Sequence, residues 1–271
     1  MGNAQFKDTI PDVNDAPEGE VTGRRLVFTP ASKITPRPVI WAWDTTPPGA
    51  GPAETQGRFP AGSLVLAVGH AGLGKSQFAC WTTARLTNGT LPGCHYRKPR
   101  SVVYCTSEDS WEMTIVPRLM AAGADLGRVY HVRVVDDGDP HARLTLPVDT
   151  ALLEAGIEHD VVMVVLDPLL SMIDHGINDY RAREVRQALE PLVAIADRTR
   201  CLMLGLAHFI KATGNDPLLL VSGSAAFGQL VRAALGSPVM RKPRSRRSCS
   251  PRSRTTSAGR ISRRSSTRSS R

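Results

Sequence analysis

The sequence predicts an α/β protein with a mostly parallel central sheet flanked by helices, and three observations carry that expectation. The pattern G-x-x-x-x-G-K-[ST] stands at 69–76 (GHAGLGKS), between an apolar run at 64–68 (LVLAV) and a helix-compatible stretch at 77–86. A second apolar run, 161–166 (VVMVVL), ends on Asp167, as expected for a strand buried on both faces. Around these runs, short strand-like segments alternate with amphipathic ones. Such alternation builds a doubly wound sheet that binds ligands at the carboxyl ends of its strands.

Taken in order, residues 1–35 are polar and proline-bearing, and 37–43 (RPVIWAW) form an apolar patch. Trp41 and Trp43 have the rings to stack on a base, but packing against the core is the favoured reading. The Pro/Gly density of 44–56 marks a surface loop, and 57–62 a turn launching the first core strand. Strands are expected at 102–105, 130–135 and 201–206, and a helix at 111–122. Residues 180–198 carry Val185, Leu189, Leu192, Val193 and Ala196 at helical spacing. A last helix is expected over 224–235, capped by Ser224. The chain thus divides into an N-terminal arm and Pro/Gly-rich loop (1–56), the α/β body (57–238) and a Ser/Arg-rich tail (239–271).

Charge follows that division. The net charge is +9, but 241–271 alone holds eleven Arg and one Lys with no acid, leaving the remainder at −3. The basic balance therefore belongs to the tail. Five cysteines (Cys80, Cys94, Cys105, Cys201, Cys249) form no C-x-x-C pair, so buried small thiols in a reducing compartment are expected. No apolar stretch approaches a membrane span, and the first residues show neither a secretory signal nor a good myristoylation site. A cytoplasmic protein without a membrane partner is expected.

The loop and the strand ends carry the chemistry. Gly69, His70, Ala71, Gly72, Leu73, Gly74, Lys75, Ser76 and Gln77 present backbone N–H groups and a helix start to a phosphate. Lys75 reaches the β/γ oxygens of a nucleoside triphosphate, and the Ser76 hydroxyl serves Mg²⁺. Asp167 is the second Mg²⁺ anchor, with a turn before Pro168 as the alternative. Glu108, just past the strand at 102–105, is the candidate base for an attacking water. Asp109 competes with it, and capping of the next helix by Asp109 or Ser110 is the plain alternative. His208 and Lys211 follow the strand at 201–206, where they can report the γ-phosphate. Arg232 is either an arginine finger acting across a subunit boundary or part of a solvated helix face. The acidic run 136–139 (DDGD) lacks calcium-loop spacing and is a solvated turn.

Together, GHAGLGKS, VVYCTSEDS (102–110), RLMAAGAD (118–125), VVMVVLDPLLSM (161–172), NDYRAREVRQAL (178–189), AHFIK (207–211) and GSAAF (223–227) resemble the RecA-like AAA family ATPases related to plasmid RepA replicative helicases and RadA-type proteins. The resemblance spans 57–235. It implies a RecA-like fold, a hexameric ring with ATP and Mg²⁺ between subunits, and single-stranded DNA as partner. It also implies Glu108 as water-activating carboxylate, Asp167 as the Mg²⁺-associated acid, and His208 as a sensor coupled to a DNA-contacting loop. Two other functions fit the same residues: a nucleotide-switched loading or remodelling ATPase that does not unwind, and a nucleic-acid binder acting through its basic tail.

The departure lies at the C-terminus, where the family continues with strands and a basic hairpin. Residues 241–271 have no apolar period that packs. They are either a phosphate-attracted arm or a reading-frame product that leaves ATP hydrolysis impaired. One back-translation of 253–259 (SRTTSAG), shifted by two bases, reads Lys-Asn-Asn-Leu-Gly-Arg.

Overall fold

The computed structural model describes residues 26–139, 142–157, 160–178, 181–208 and 226–236. Their core is a six-stranded parallel sheet in the order β5-β4-β6-β7-β3-β8. The central strands are β3 (Leu64–Gly69), β4 (Ser101–Thr106), β6 (Val161–Asp167) and β7 (Leu202–His208). Their side chains are buried on both faces almost throughout, which is why these runs read as continuous rather than alternating. The edges are β5 (Val129–His131) and β8 (Ala233–Gly236).

Helices cover both faces. α1 (Lys75–Thr87) and α2 (Val116–Ala121) pack on one side through Ala79, Cys80, Leu86 and Leu119. α3 (Thr150–Ala155), α4 (Ala182–Thr199) and α5 (Ala226–Leu230) cover the other. α4 buries Val185, Leu189, Leu192 and Ala196 on the predicted stripe, with Val193 half-buried beside it. Its outer face carries the Arg186–Glu190 pair at 2.6 Å.

The N-terminal patch does more than precede the body. β1 (Trp41–Asp44) pairs antiparallel with β2 (Gly57–Pro60), where the sequence suggested only a turn. The Trp43 ring meets Phe59 at 5.3 Å, Trp81 at 5.6 Å and Phe78 at 6.0 Å, so the ribbon is tied to α1 by aromatic packing. Trp41 lies over Gly57, where a Cβ would stand 2.0 Å from its ring. Both tryptophans are thus engaged in packing. Residues 41–44 are held to the body by pairing and burial.

Two predicted elements differ. The strand expected over 130–135 stops at His131, because pairing with β4 ends there. The helix expected over 224–235 is the short α5 followed by β8, which pairs in parallel with β3 from Val65↔Ala233 to Val68↔Gly236. A run such as AALG fits either period, and pairing decided it. Ser224, Lys211, Cys249 and the tail lie outside the described residues.

Candidate functional site

Parallel register gathers the site at the carboxyl end of the sheet. Gly69 stands opposite His208 across β3 and β7, and Thr106 opposite Asp167 across β4 and β6. All are the last residues of their strands. The loop leaves β3 at this edge and turns into α1. Gly72 and Gly74 hold φ of 79° and 82°, and Gly74 is the residue from which α1 starts. Left-handed backbone at both positions is what glycine supplies without strain. α1 begins at Lys75, so its unpaired first-turn N–H groups lie at the loop.

A cavity of about 300 Å³ opens here, lined by Gly72, Gly74, Lys75, Ser76, Asp167 and His208, with Gln77 and Arg118 completing it. That is the lower end of the size range of ligand pockets. Lys75 Nζ donates to the carbonyls of Gly69 (2.9 Å) and His70 (3.0 Å), and lies 3.1 Å from His208 Nδ1. With Lys75 charged, the ammonium donates and the imidazole accepts, which puts the ring proton on Nε2. Desolvation lowers the pKa of Lys75, and the nearby Asp167 charge opposes this.

Asp167 is 8% exposed. Burial raises its pKa above the ordinary carboxylate value; hydrogen bonds from Ser76 and Tyr104 oppose the rise, and the charges of Asp109 and Glu108 add to it. The Tyr104 hydroxyl donates to Asp167 Oδ2 at 2.9 Å. A carboxylate and a serine hydroxyl in contact beside a phosphate loop fit Mg²⁺, which takes hard oxygens and uses few protein ligands. Among the described residues no cluster of three His, Cys, Asp or Glu is arranged for a metal.

The two acidic candidates after β4 part company. Asp109 pairs with Arg118 at 2.9 Å, and Ser110 caps the following turn by accepting from the Met113 N–H at 3.2 Å. Glu108 is exposed and accepts from Ser171 Oγ at 3.1 Å, near enough to Asp167 to raise its pKa. Its carboxylate is held by a neutral hydroxyl, whereas that of Asp109 is held by a cation.

Arg232 stands elsewhere. It lies in the turn between α5 and β8, not on a helix, and its N–H donates to the Leu64 carbonyl at the start of β3. It lines a separate cavity of about 760 Å³ with Arg37 and Arg200, at the amino-terminal end of the strands, opposite the phosphate loop. Two residues that sequence reading passed over belong to the site instead. Arg118 lines the nucleotide cavity from α2, and Tyr104 holds Asp167 from within β4. A tyrosine inside an apolar strand needs a partner for its hydroxyl, and that was the available signal.

A parallel sheet of this order, with a glycine-rich loop opening a helix and an acid at the end of the strand two places away, defines the class of P-loop nucleoside triphosphatases. The family comparison narrows the class. Residues 30–214, about two-thirds of the chain, match the AAA domain, and the chain belongs to that family of nucleotide-hydrolysing AAA-type ATPases. No curated protein matches it at a significant level. Among the described residues no helix is long and apolar enough to cross a membrane.

Proposed function

We propose that this chain is a cytoplasmic, Mg²⁺-dependent ATPase motor acting on single-stranded DNA, of the RecA-like type related to RepA replicative helicases and RadA-type proteins, working as a hexameric ring. The observation that supports it best is the convergence of Lys75, Ser76, Asp167 and His208 on one cavity. Backbone amides of the loop and the start of α1 bind the triphosphate, and Lys75 neutralises its terminal oxygens. Ser76 and Asp167 would hold Mg²⁺, which would supply charge neutralisation at the triphosphate, and Tyr104 fixes the orientation of Asp167.

Glu108 orients and polarises the attacking water. It suits the role because among the described residues its carboxylate pairs with no cation, while that of Asp109 does. His208, hydrogen-bonded to Lys75, senses whether the lysine has turned to the γ-phosphate and passes this into the chain beyond β7, where Lys211 follows. Arg232, from the opposite end of the strands, reaches a nucleotide only if a neighbouring subunit presents it.

The test is ATP turnover with and without single-stranded DNA, alongside mass in solution with nucleotide. Mg²⁺-dependent turnover accelerated by DNA, a mass of six chains and ATP-driven strand displacement support the motor. Acceleration without displacement supports a loading or remodelling ATPase instead. Turnover indifferent to DNA in a monomer contradicts both.

A further inference from the structure

A second cavity, of about 310 Å³, lies beside the nucleotide site at the ends of β4 and β5. Its polar lining is Thr106, Ser107, His131, Arg133 and Arg143, with no carboxylate among the lining residues. Val132, Val134, Val135 and Leu144 form its apolar wall and border a drier cavity of about 230 Å³. Neither Arg133 nor Arg143 makes an ion pair among the described residues. Ser107 Oγ is buried and has no hydrogen-bond partner among the described residues. Nearby, the Trp111 ring stacks on His131 at 4.3 Å, and its indole N–H is likewise buried without a partner. Buried polar atoms are nearly always paired, so an orphaned hydroxyl on a residue that lines a cationic cavity is a donor left for a ligand oxygen that displaces the atoms covering it.

We propose that this cavity is a second phosphate site, distinct from the loop at 69–76, in which Arg133 and Arg143 neutralise a phosphate group and the Ser107 hydroxyl donates to it. Forked guanidinium donors and a hydroxyl suit a tetrahedral oxyanion, and Arg133 and Arg143 are both exposed to receive one. The phosphate comes either from a polynucleotide backbone or from free inorganic phosphate. The site is coupled to the first by one residue. Ser107 precedes Glu108, and its backbone N–H donates to the Asp167 carbonyl at 3.3 Å. A ligand that engages Ser107 therefore acts on the seating of Glu108 and Asp167 together. This coupling rests on the ATPase reading above; the binding itself does not.

The test is arginine modification by phenylglyoxal on the full chain without nucleotide, mapped residue by residue by mass spectrometry. Oligothymidylate and inorganic phosphate are the two protecting ligands. Tail binding does not confuse the readout, because Arg133 and Arg143 are followed individually, with the exposed Arg183 on α4 as reference. Protection of both by oligothymidylate alone identifies a backbone phosphodiester; protection by inorganic phosphate identifies the free anion. In either case Arg133→Ala raises the ligand concentration that half-protects Arg143 by about tenfold, and Ser107→Ala raises it by about fivefold. If the backbone is the ligand, Arg133→Ala also keeps unstimulated ATP turnover and loses its acceleration by oligothymidylate. Protection of neither arginine, or equal protection of Arg183, overturns the site. A wild-type chain that protects both arginines yet never hydrolyses ATP overturns only the ATPase reading and the coupling.

Discussion

The Tyr104 hydroxyl donates to Asp167 Oδ2 at 2.9 Å, from one parallel strand to the next, with both residues buried. The bond occupies one oxygen of the carboxylate, and Ser76 hydrogen-bonds the same group. It makes Tyr104 a positioning residue for the metal-binding acid. Tyr104→Phe is expected to raise the Mg²⁺ concentration needed for half-maximal turnover by about fivefold and to cost about 1 kcal/mol of stability. Nucleotide affinity in chelator stays unchanged, because the loop is untouched. Titration of a fluorescent nucleotide with and without Mg²⁺, with thermal unfolding beside it, separates these effects.

Asp167 itself is held at a cost to folding. Its pKa is raised by burial, so the folded chain binds its proton more tightly than the unfolded chain does. The contribution of this group is fully favourable below the ordinary carboxylate value and is lost as pH rises through the higher folded value. Asp167→Asn is therefore expected to stabilise the nucleotide-free protein at neutral pH, by roughly 1 kcal/mol or about 2–4 °C in Tm. The gain shrinks as pH falls into the carboxylate range. Thermal scans of both chains across acid to neutral pH check the sign.

Glu108→Gln keeps the shape of the side chain and removes its basicity. ATP binding is expected to persist while turnover falls at least about 100-fold. Asp109→Asn acts differently: it releases Arg118 from its 2.9 Å partner and changes nucleotide affinity more than turnover. Comparing binding and kcat in the two variants distinguishes the roles of adjacent carboxylates.

Arg118 lines the cavity and is anchored by Asp109, which aims its guanidinium. Arg118→Ala is expected to weaken ATP binding about tenfold, and Arg118→Lys to rescue little of it, since an ammonium cannot replace a fork held by a carboxylate. Equilibrium nucleotide titration reads both.

The central strands and the loop were legible because their signals are local. A continuous apolar run marks a strand buried on both faces, and the loop pattern brackets itself between β3 and α1. What sequence reading missed depended on partners far along the chain. Whether 233–236 was helix or strand was decided by pairing with β3; the packing of Trp43 was expected, but not its partners on β2 and α1. Arg118 and Tyr104 entered the site only once α2 and β4 were placed beside β6. Position alone favoured Glu108 over Asp109; the Arg118 ion pair of Asp109 and the Ser171 bond of Glu108 are differences that appear only with the chain folded.

The C-terminal sequence makes its own prediction. Among the described residues β8 pairs with β3 alone, leaving an edge that a further strand would cover. Residues 241–271 carry no apolar alternation able to do so. The gene is expected to encode an apolar-patterned continuation in the adjacent reading frame from the region of codon 241 onward. A coding sequence with no such continuation leaves the tail as a genuine basic arm.

The central claim is that the amides between Gly69 and Ser76 form a phosphate cradle facing Asp167, and calorimetric titration of the chain with ATP and Mg²⁺ tests it most directly. One saturable site per chain is expected, weakened at least about tenfold by Lys75→Ala, where a charged donor worth about 1.5–3 kcal/mol is lost. Removal of Mg²⁺ is expected to weaken it as well. Absence of saturable binding, or an affinity that Lys75→Ala leaves unchanged, would contradict the account.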